Sequence, residues 1–153
     1  MDKQSLIILA VIAFAAVAAV LIYLFSGERL SKRIRSGDID SIAVTCRRKT
    51  NIFPDDSGAS LCAAAGKIRL NRFALRDNSV NSKIGGNFFV TFKYKDGTAL
   101  DLCFNGDFTA CRVGAEKWRR VINPKDAALL EHEQDFLLSQ RPETENTKEM
   151  SEK

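Results

Sequence analysis

Residues 87–113 read NFFVTFKYKDGTALDLCFNGDFTACRV, and the alternation in this stretch decides the fold. Phe88, Val90, Phe92 and Tyr94 fall on one side of an extended chain, as do Leu100, Leu102 and Phe104, which is the period of half-buried strands. The turn between them is a matter of parity. A two-residue loop at Asp96-Gly97 would set Leu100 opposite Lys93 and throw the two apolar rows onto opposite faces. A three-residue loop, Lys95-Asp96-Gly97 with Gly97 left-handed, pairs Phe92 with Leu100 and Val90 with Leu102. The second register keeps one apolar face and is the expected one. Asn105-Gly106-Asp107 then turns the chain into a third strand over residues 108–113. A two-residue loop there places Cys111 and Val113 on the face of Leu102 and Phe104, with Cys103 facing away.

Working outward towards the C-terminus, residues 114–120 carry the only tryptophan, Trp118, within the polar run Lys117-Trp118-Arg119-Arg120. Asn123-Pro124 opens a helix with a cap and a proline at the first helical position. Leu129, Leu130, Phe136 and Leu137 are expected on one face of it, packing across the sheet. Residues 141–153, whose one apolar side chain is Met150, read as a disordered tail.

Towards the N-terminus, residues 77–87 with Gly85-Gly86 read as a flexible connection. Residues 67–75 read as a strand and the Ala-rich residues 59–65 as a short helix closed by Gly66. Residues 51–58, with Pro54 and Asp55-Asp56-Ser57-Gly58, read as a loop. In residues 39–46, Ile42, Val44 and Cys46 point one way, Ala43 and Thr45 the other, which is a strand. Residues 28–35 suit a short amphipathic helix with Leu30 and Ile34 on one side.

Residues 6–25, LIILAVIAFAAVAAVLIYLF, hold no charge, Asn, Gln or Pro. A helix of this length reaches about 30 Å, the thickness of a bilayer's hydrocarbon core, so the stretch reads as one transmembrane helix. A cleaved signal peptide fits poorly. Lys3 is offset by Asp2, and cleavage after Ala13-Phe14-Ala15 or Ala16-Val17-Ala18 would strand the apolar residues 21–25 on the product. The expected fold class is α+β: a single N-terminal transmembrane helix, then a small domain with an antiparallel β-meander and a C-terminal packing helix. The expected units are a membrane anchor over 1–27, a basic juxtamembrane segment over 28–37, the domain over 38–140 and the tail over 141–153.

Charge supplies the orientation. Arg29, Lys32, Arg33 and Arg35 follow the span, against Lys3 before it, so the domain is expected on the cytoplasmic side and these four cations read as a topology signal. Residues 28–125 are basic by nine charges and residues 126–153 acidic by five. Arg69, Arg72 and Arg76 around Phe73, with Lys117, Arg119 and Arg120 around Trp118, form the candidate interaction surface, since Trp and Arg are the residues most enriched at binding hot spots. The plainer reading has Trp118 closing the core edge among solvated neighbours.

No catalytic, cofactor-binding or metal-ligating motif appears, and no cofactor is expected. Cys46, Cys62, Cys103 and Cys111 lack zinc-site spacing, and the sequence holds one histidine, His132. As disulfide partners they would need an oxidising compartment. As buried thiols they suit a reducing one. The expected function is a membrane-anchored, non-enzymatic interaction domain that binds a protein partner or anionic lipid headgroups, with nucleic acid disfavoured by the absence of any recognition motif. The alternative is an extracytoplasmic, periplasmic binding module stapled by disulfides. An enzyme using Asp101, Asp107 and His132 has no motif behind it.

Overall fold

The computed structural model of the chain describes residues 3–46, 48–75 and 87–140. The expected connection ahead of residue 87 and the expected tail therefore lie outside the described residues, apart from Asn87. Helix α1 (Lys3–Phe25) is followed by the two-residue strand β1 (Glu28–Arg29) and two 3₁₀ turns, Leu30–Lys32 and Ser36–Asp38. Then come β2 (Ile39–Cys46), β3 (Lys49–Pro54), α2 (Asp55–Lys67), β4 (Arg69–Ala74), β5 (Phe88–Tyr94), β6 (Ala99–Phe104), β7 (Ala110–Val113), β8 (Arg119–Val121) and α3 (Pro124–Ser139). The described strands form one eight-stranded antiparallel sheet in the order β1-β4-β8-β7-β6-β5-β2-β3. The architecture is α+β, as the alternation predicts.

Helix α1 buries none of its residues, and its composition and length suffice to cross a membrane. It is apolar all round, a pattern shared by helices of protein cores and membrane spans.

The central hairpin follows parity. Phe92 faces Leu100 and Val90 faces Leu102, with Gly97 at φ +81° closing the three-residue loop between Tyr94 and Thr98. At the next turn Phe104 pairs with Cys111 and Leu102 with Val113, while Cys103 pairs with Arg112. Cys111 and Val113 thus join the apolar face as expected. The loop, however, spans four residues, 106–109, rather than two, because the Asn105 carboxamide oxygen accepts the Ala110 N–H at 2.8 Å and extends the pairing across the turn. Phe108 takes φ +58° in that loop, an uncommon conformation for a bulky residue, and its ring packs 5.3 Å from Phe88 and 5.7 Å from Phe104. Burying such rings contributes about 2–3 kcal/mol each, enough to offset the ~1–2 kcal/mol that a left-handed backbone costs.

Several expectations are corrected. Residues 51–58 are not a loop: β3 runs to Pro54, and α2 begins at Asp55. In β3 the apolar residues stand on both faces, Phe53 at 1% exposure and Ile52 at 52%, so no alternation marks the strand. Residues 28–35 are not an amphipathic helix. The carbonyl of Ile68 accepts the Leu30 N–H at 3.0 Å and holds the segment to the start of β4, although Leu30 and Ile34 are buried as expected. Arg119 and Arg120, read as part of the polar run Lys117-Trp118-Arg119-Arg120, belong to the inner strand β8. Finally, α3 packs mainly on α2, while Ala127 and Leu130 join the core that the sheet lines and Glu131 lies 4.0 Å from Cys46 of β2. The buried stripe of α3 is Ala127, Leu130 and Gln134, with Leu137 half-buried against the core as expected, while Leu129 and Phe136 are exposed because they lie on the opposite side of the helix.

Candidate functional site

The cations of the domain divide sharply by partner. Glu28 on β1, Arg33, Glu116 before β8 and Arg119 on β8 form a closed network. Arg33 donates to Glu28 at 2.8 and 3.2 Å and also to Glu116; Arg119 donates to Glu28 at 2.7 Å and to Glu116 at 2.9 Å. The hydrogen bond from Arg33, with that from Arg119 and against partial burial, holds the Glu28 carboxyl down at about 2 from its ordinary 4.5. The same contacts raise Arg33 above the usual guanidinium range. Arg35 clamps the β5–β6 turn. It donates to Asp96 at 2.8 Å and Thr98 at 2.5 Å and lies 4.2 Å from the centre of the Tyr94 ring, which drives the Asp96 carboxyl well below its usual range. Of the four cations read as a topology signal, two are therefore also structural.

The predicted interaction residues have different surroundings. Leu70 pairs with Val121, Ala74 with Arg119, and the Leu75 N–H donates to the Trp118 carbonyl at 2.7 Å. Arg69, opposite Ile122, and Trp118 thus lie at opposite ends of the β4–β8 ladder, about 14 Å apart at the rise of β8. Arg72 binds the end of α1, donating to the Tyr23 carbonyl at 3.0 Å and hydroxyl at 3.2 Å, with its guanidinium 3.9 Å from the ring centre. Trp118 is half-buried under Arg112 at 5.4 Å. Lys117 and Arg120 are exposed, Arg119 sits in the ion network, and Arg76 lies outside the described residues.

What the fold does bring together is a different set. Strand β1 pairs with β4 so that Arg29 stands directly opposite Arg69, a like-charge pairing that destabilises a ladder unless something anionic shares it. Lys67, two residues before Arg69, joins them. All three are exposed, and their side chains have no hydrogen-bond or ion-pair partner among the described residues. They line one open cleft of about 970 Å³, where Asp126 is the one lining carboxylate among the described residues. The cleft runs between α2 and the segment that leads from β1 into β2. Gly66 faces Ser31 near the cationic end, and Gly58 faces Ile42 at the other. Arg29 and Lys67 were not legible as site residues. Only the Lys67-Ile68-Arg69 alternation hinted that the two cations flanking Ile68 share a face.

The remaining candidates have local roles. Asp101 accepts from Thr91 at 2.7 Å across the ladder. Asp107 accepts from the Thr109 hydroxyl at 2.7 Å, which lowers its pKa. His132 is exposed on α3. Among the described residues no three His, Cys, Asp or Glu side chains converge as a metal site would need. All four cysteines are thiols. Burial pushes Cys103 and, more strongly, Cys111 towards the neutral form, and the ladder sets these two on opposite faces. Comparison with protein-family models, with curated proteins and with solved structures finds no match to this chain.

Proposed function

We propose that this chain is a single-pass, membrane-anchored, non-enzymatic interaction domain whose cleft engages anionic lipid headgroups. One observation carries the reading: Arg29, Lys67 and Arg69 converge without a protein partner among the described residues, beside the end of the apolar helix. Arg29 follows Phe25 by four residues, so its Cα lies within about 14 Å of the span's end. Cations that reach an anionic leaflet gain about 1 kcal/mol each. Replacing all three by glutamine should therefore weaken lipid selection by about 3 kcal/mol, roughly a hundredfold. Electron paramagnetic resonance on the full chain in phosphatidylcholine nanodiscs, with spin-labelled phosphatidylglycerol against spin-labelled phosphatidylcholine, measures that selection. A wild-type chain with no preference for the anionic lipid, or a preference that survives the triple substitution, would overturn the headgroup reading and return the cleft to a protein ligand.

The domain belongs on the cytoplasmic side in this reading, supported by the positive flank after the span and by thiols placed where no disulfide can join Cys103 to Cys111. Cys62, half-buried on the cleft wall, reports on this. A membrane-impermeant maleimide is expected to label it in inside-out vesicles without prior reduction. Labelling in right-side-out vesicles, or only after a reductant, would instead establish the extracytoplasmic, disulfide-stapled alternative.

A further inference from the structure

Strand β4 pairs with β1 and also lies against the end of α1. The last carbonyls of a helix have no partner within it, and its C-terminus favours a cation. Arg72 meets both needs. Its Nε donates to the Tyr23 carbonyl at 3.0 Å, its Nη1 to the Tyr23 hydroxyl at 3.2 Å, and the guanidinium lies 3.9 Å from the ring centre. These contacts fix the direction of the strand. A Cβ added at Gly27 would lie 2.8 Å from the Leu70 carbonyl oxygen, and two residues on Arg72 holds Tyr23, so β4 leaves Leu70 running back along α1. The strand advances about 10 Å from Leu70 to Phe73. The helix recedes about 6 Å from Gly27 to Tyr23. Phe73 therefore stands level with the last turn of α1. At 58% exposure it is the most exposed large apolar side chain among the described residues outside that helix.

We infer that the leaflet around α1 also receives Phe73: Arg72 caps the helix and thereby seats the edge of β4 in the membrane interface, with the Phe73 ring at the boundary of the hydrocarbon. This rests on the reading of α1 as a span, whose length and composition suffice to cross a membrane, and not on the cleft cations. The surroundings of the ring suit that depth. Tyr23 is a residue type enriched at membrane interfaces, and an arginine there lays its stem along apolar surface while its head keeps polar partners. The Phe73 N–H is already satisfied by the Asn71 carboxamide oxygen at 3.0 Å, so it carries no open donor towards lipid. Arg69, four residues behind Phe73 and opposite Arg29, is left on the headgroup side. The domain is then held at one attitude to the bilayer, by the span and by a second contact beside it.

The test uses the full chain in phosphatidylcholine nanodiscs, with Phe73→Trp placed in a Trp118→Phe background. Phosphatidylcholine with a doxyl quencher at carbon 5 of an acyl chain reports on the interface. Quenching is expected to be at least about fivefold stronger than for Ile52→Trp in the same background, because β3 holds an exposed Ile52 at the far end of the strand order. Arg72→Gln, which removes the guanidinium fork, should cut the position-73 signal by about threefold. Equal quenching at positions 73 and 52 would overturn the seating, and a position-73 signal that survives Arg72→Gln would overturn the part given to Arg72. Phe14→Trp with a quencher at carbon 12 reports on the span itself. Deep quenching there without quenching at position 73 would overturn the seating and leave the span reading standing. No lipid quenching at either position would overturn both. Shielding of position 73 from aqueous iodide without lipid quenching would show the ring covered by protein, such as a second copy of the chain, and would overturn the inference as well.

Discussion

Reversing the charge of Arg119, Arg119→Glu, is expected to lower the stability of the domain by about 3 kcal/mol, whereas Arg120→Glu one residue on should stay within about 0.5 kcal/mol of wild type. The two arginines look alike in the sequence. Arg119 is 18% exposed and bridges Glu28 and Glu116, whereas Arg120 points to water. A carboxylate at position 119 would face two others where two attractions now stand. An exposed pair contributes about 0–1 kcal/mol and a broken buried pair costs about 3–5 kcal/mol, and this network lies between those limits. Urea unfolding of the full chain in micelles, followed by the fluorescence of Trp118, measures both variants.

Acid should narrow the difference. The Glu28 carboxyl titrates near 2 in the folded chain and has an ordinary value of 4.5, so the stability it contributes is complete above pH 4.5 and is lost as the pH falls from there through 2. Water reaches a quarter of that side chain, and allowing for its screening the contribution is about 2 kcal/mol. The wild type loses it on acidification. The Arg119→Glu variant, which keeps the Arg33 contacts to Glu28 but lacks the Arg119 share and sheds the repulsion between its carboxylates in acid, falls less. A gap between the two chains that stays constant from pH 7 to pH 3 would show that the network is not what Arg119 supports.

Gly27→Ala is the second large effect, expected at about 3 kcal/mol. Gly27 joins the helix to β1 at φ +69°, where a side chain costs about 1–2 kcal/mol in the backbone alone. An added Cβ would also lie 2.3 Å from the end of Ile122 and 2.8 Å from the carbonyl oxygen of Leu70. Ile122 can swing aside, but the Leu70 carbonyl belongs to β4, so the strand must move; overpacking of this kind costs about 1–3 kcal/mol. Adding Ile122→Ala should therefore recover only part of the loss. Gly37→Ala is the control. It meets nothing within 4 Å and has no left-handed backbone, so it should be neutral or stabilise by up to about 1 kcal/mol. Equal effects at positions 27 and 37 would remove the argument from close approach.

How much was legible from the residues differs from element to element. The hairpin of β5 and β6 was readable to the register, because a period of two leaves only one loop length that keeps Phe92 and Leu102 on one face. Helix α3 was readable at its start, where Asn123-Pro124 stands, but not in its orientation. Leu129 and Phe136 are large and apolar, and nothing local says that the buried stripe will run through Ala127, Leu130 and Gln134 and leave those two outside. Strand β1 was invisible for a simpler reason: two residues carry no period.

The candidate site shows the same division more sharply. The sequence by itself determined that an apolar helix long enough for a bilayer precedes an antiparallel meander, and that the body of the chain is basic. Only the tertiary structure decided which of those cations remain open to a ligand. Arg119 loses its availability to Glu28, 91 residues away, and Arg72 to the end of α1, while Arg29 and Arg69 are set side by side by one short ladder. Apolar periodicity is a local property of the backbone and survives in one dimension. The availability of a charge depends on which opposite charge the fold brings within a few ångströms, and that is decided by pairing between residues far apart in the chain.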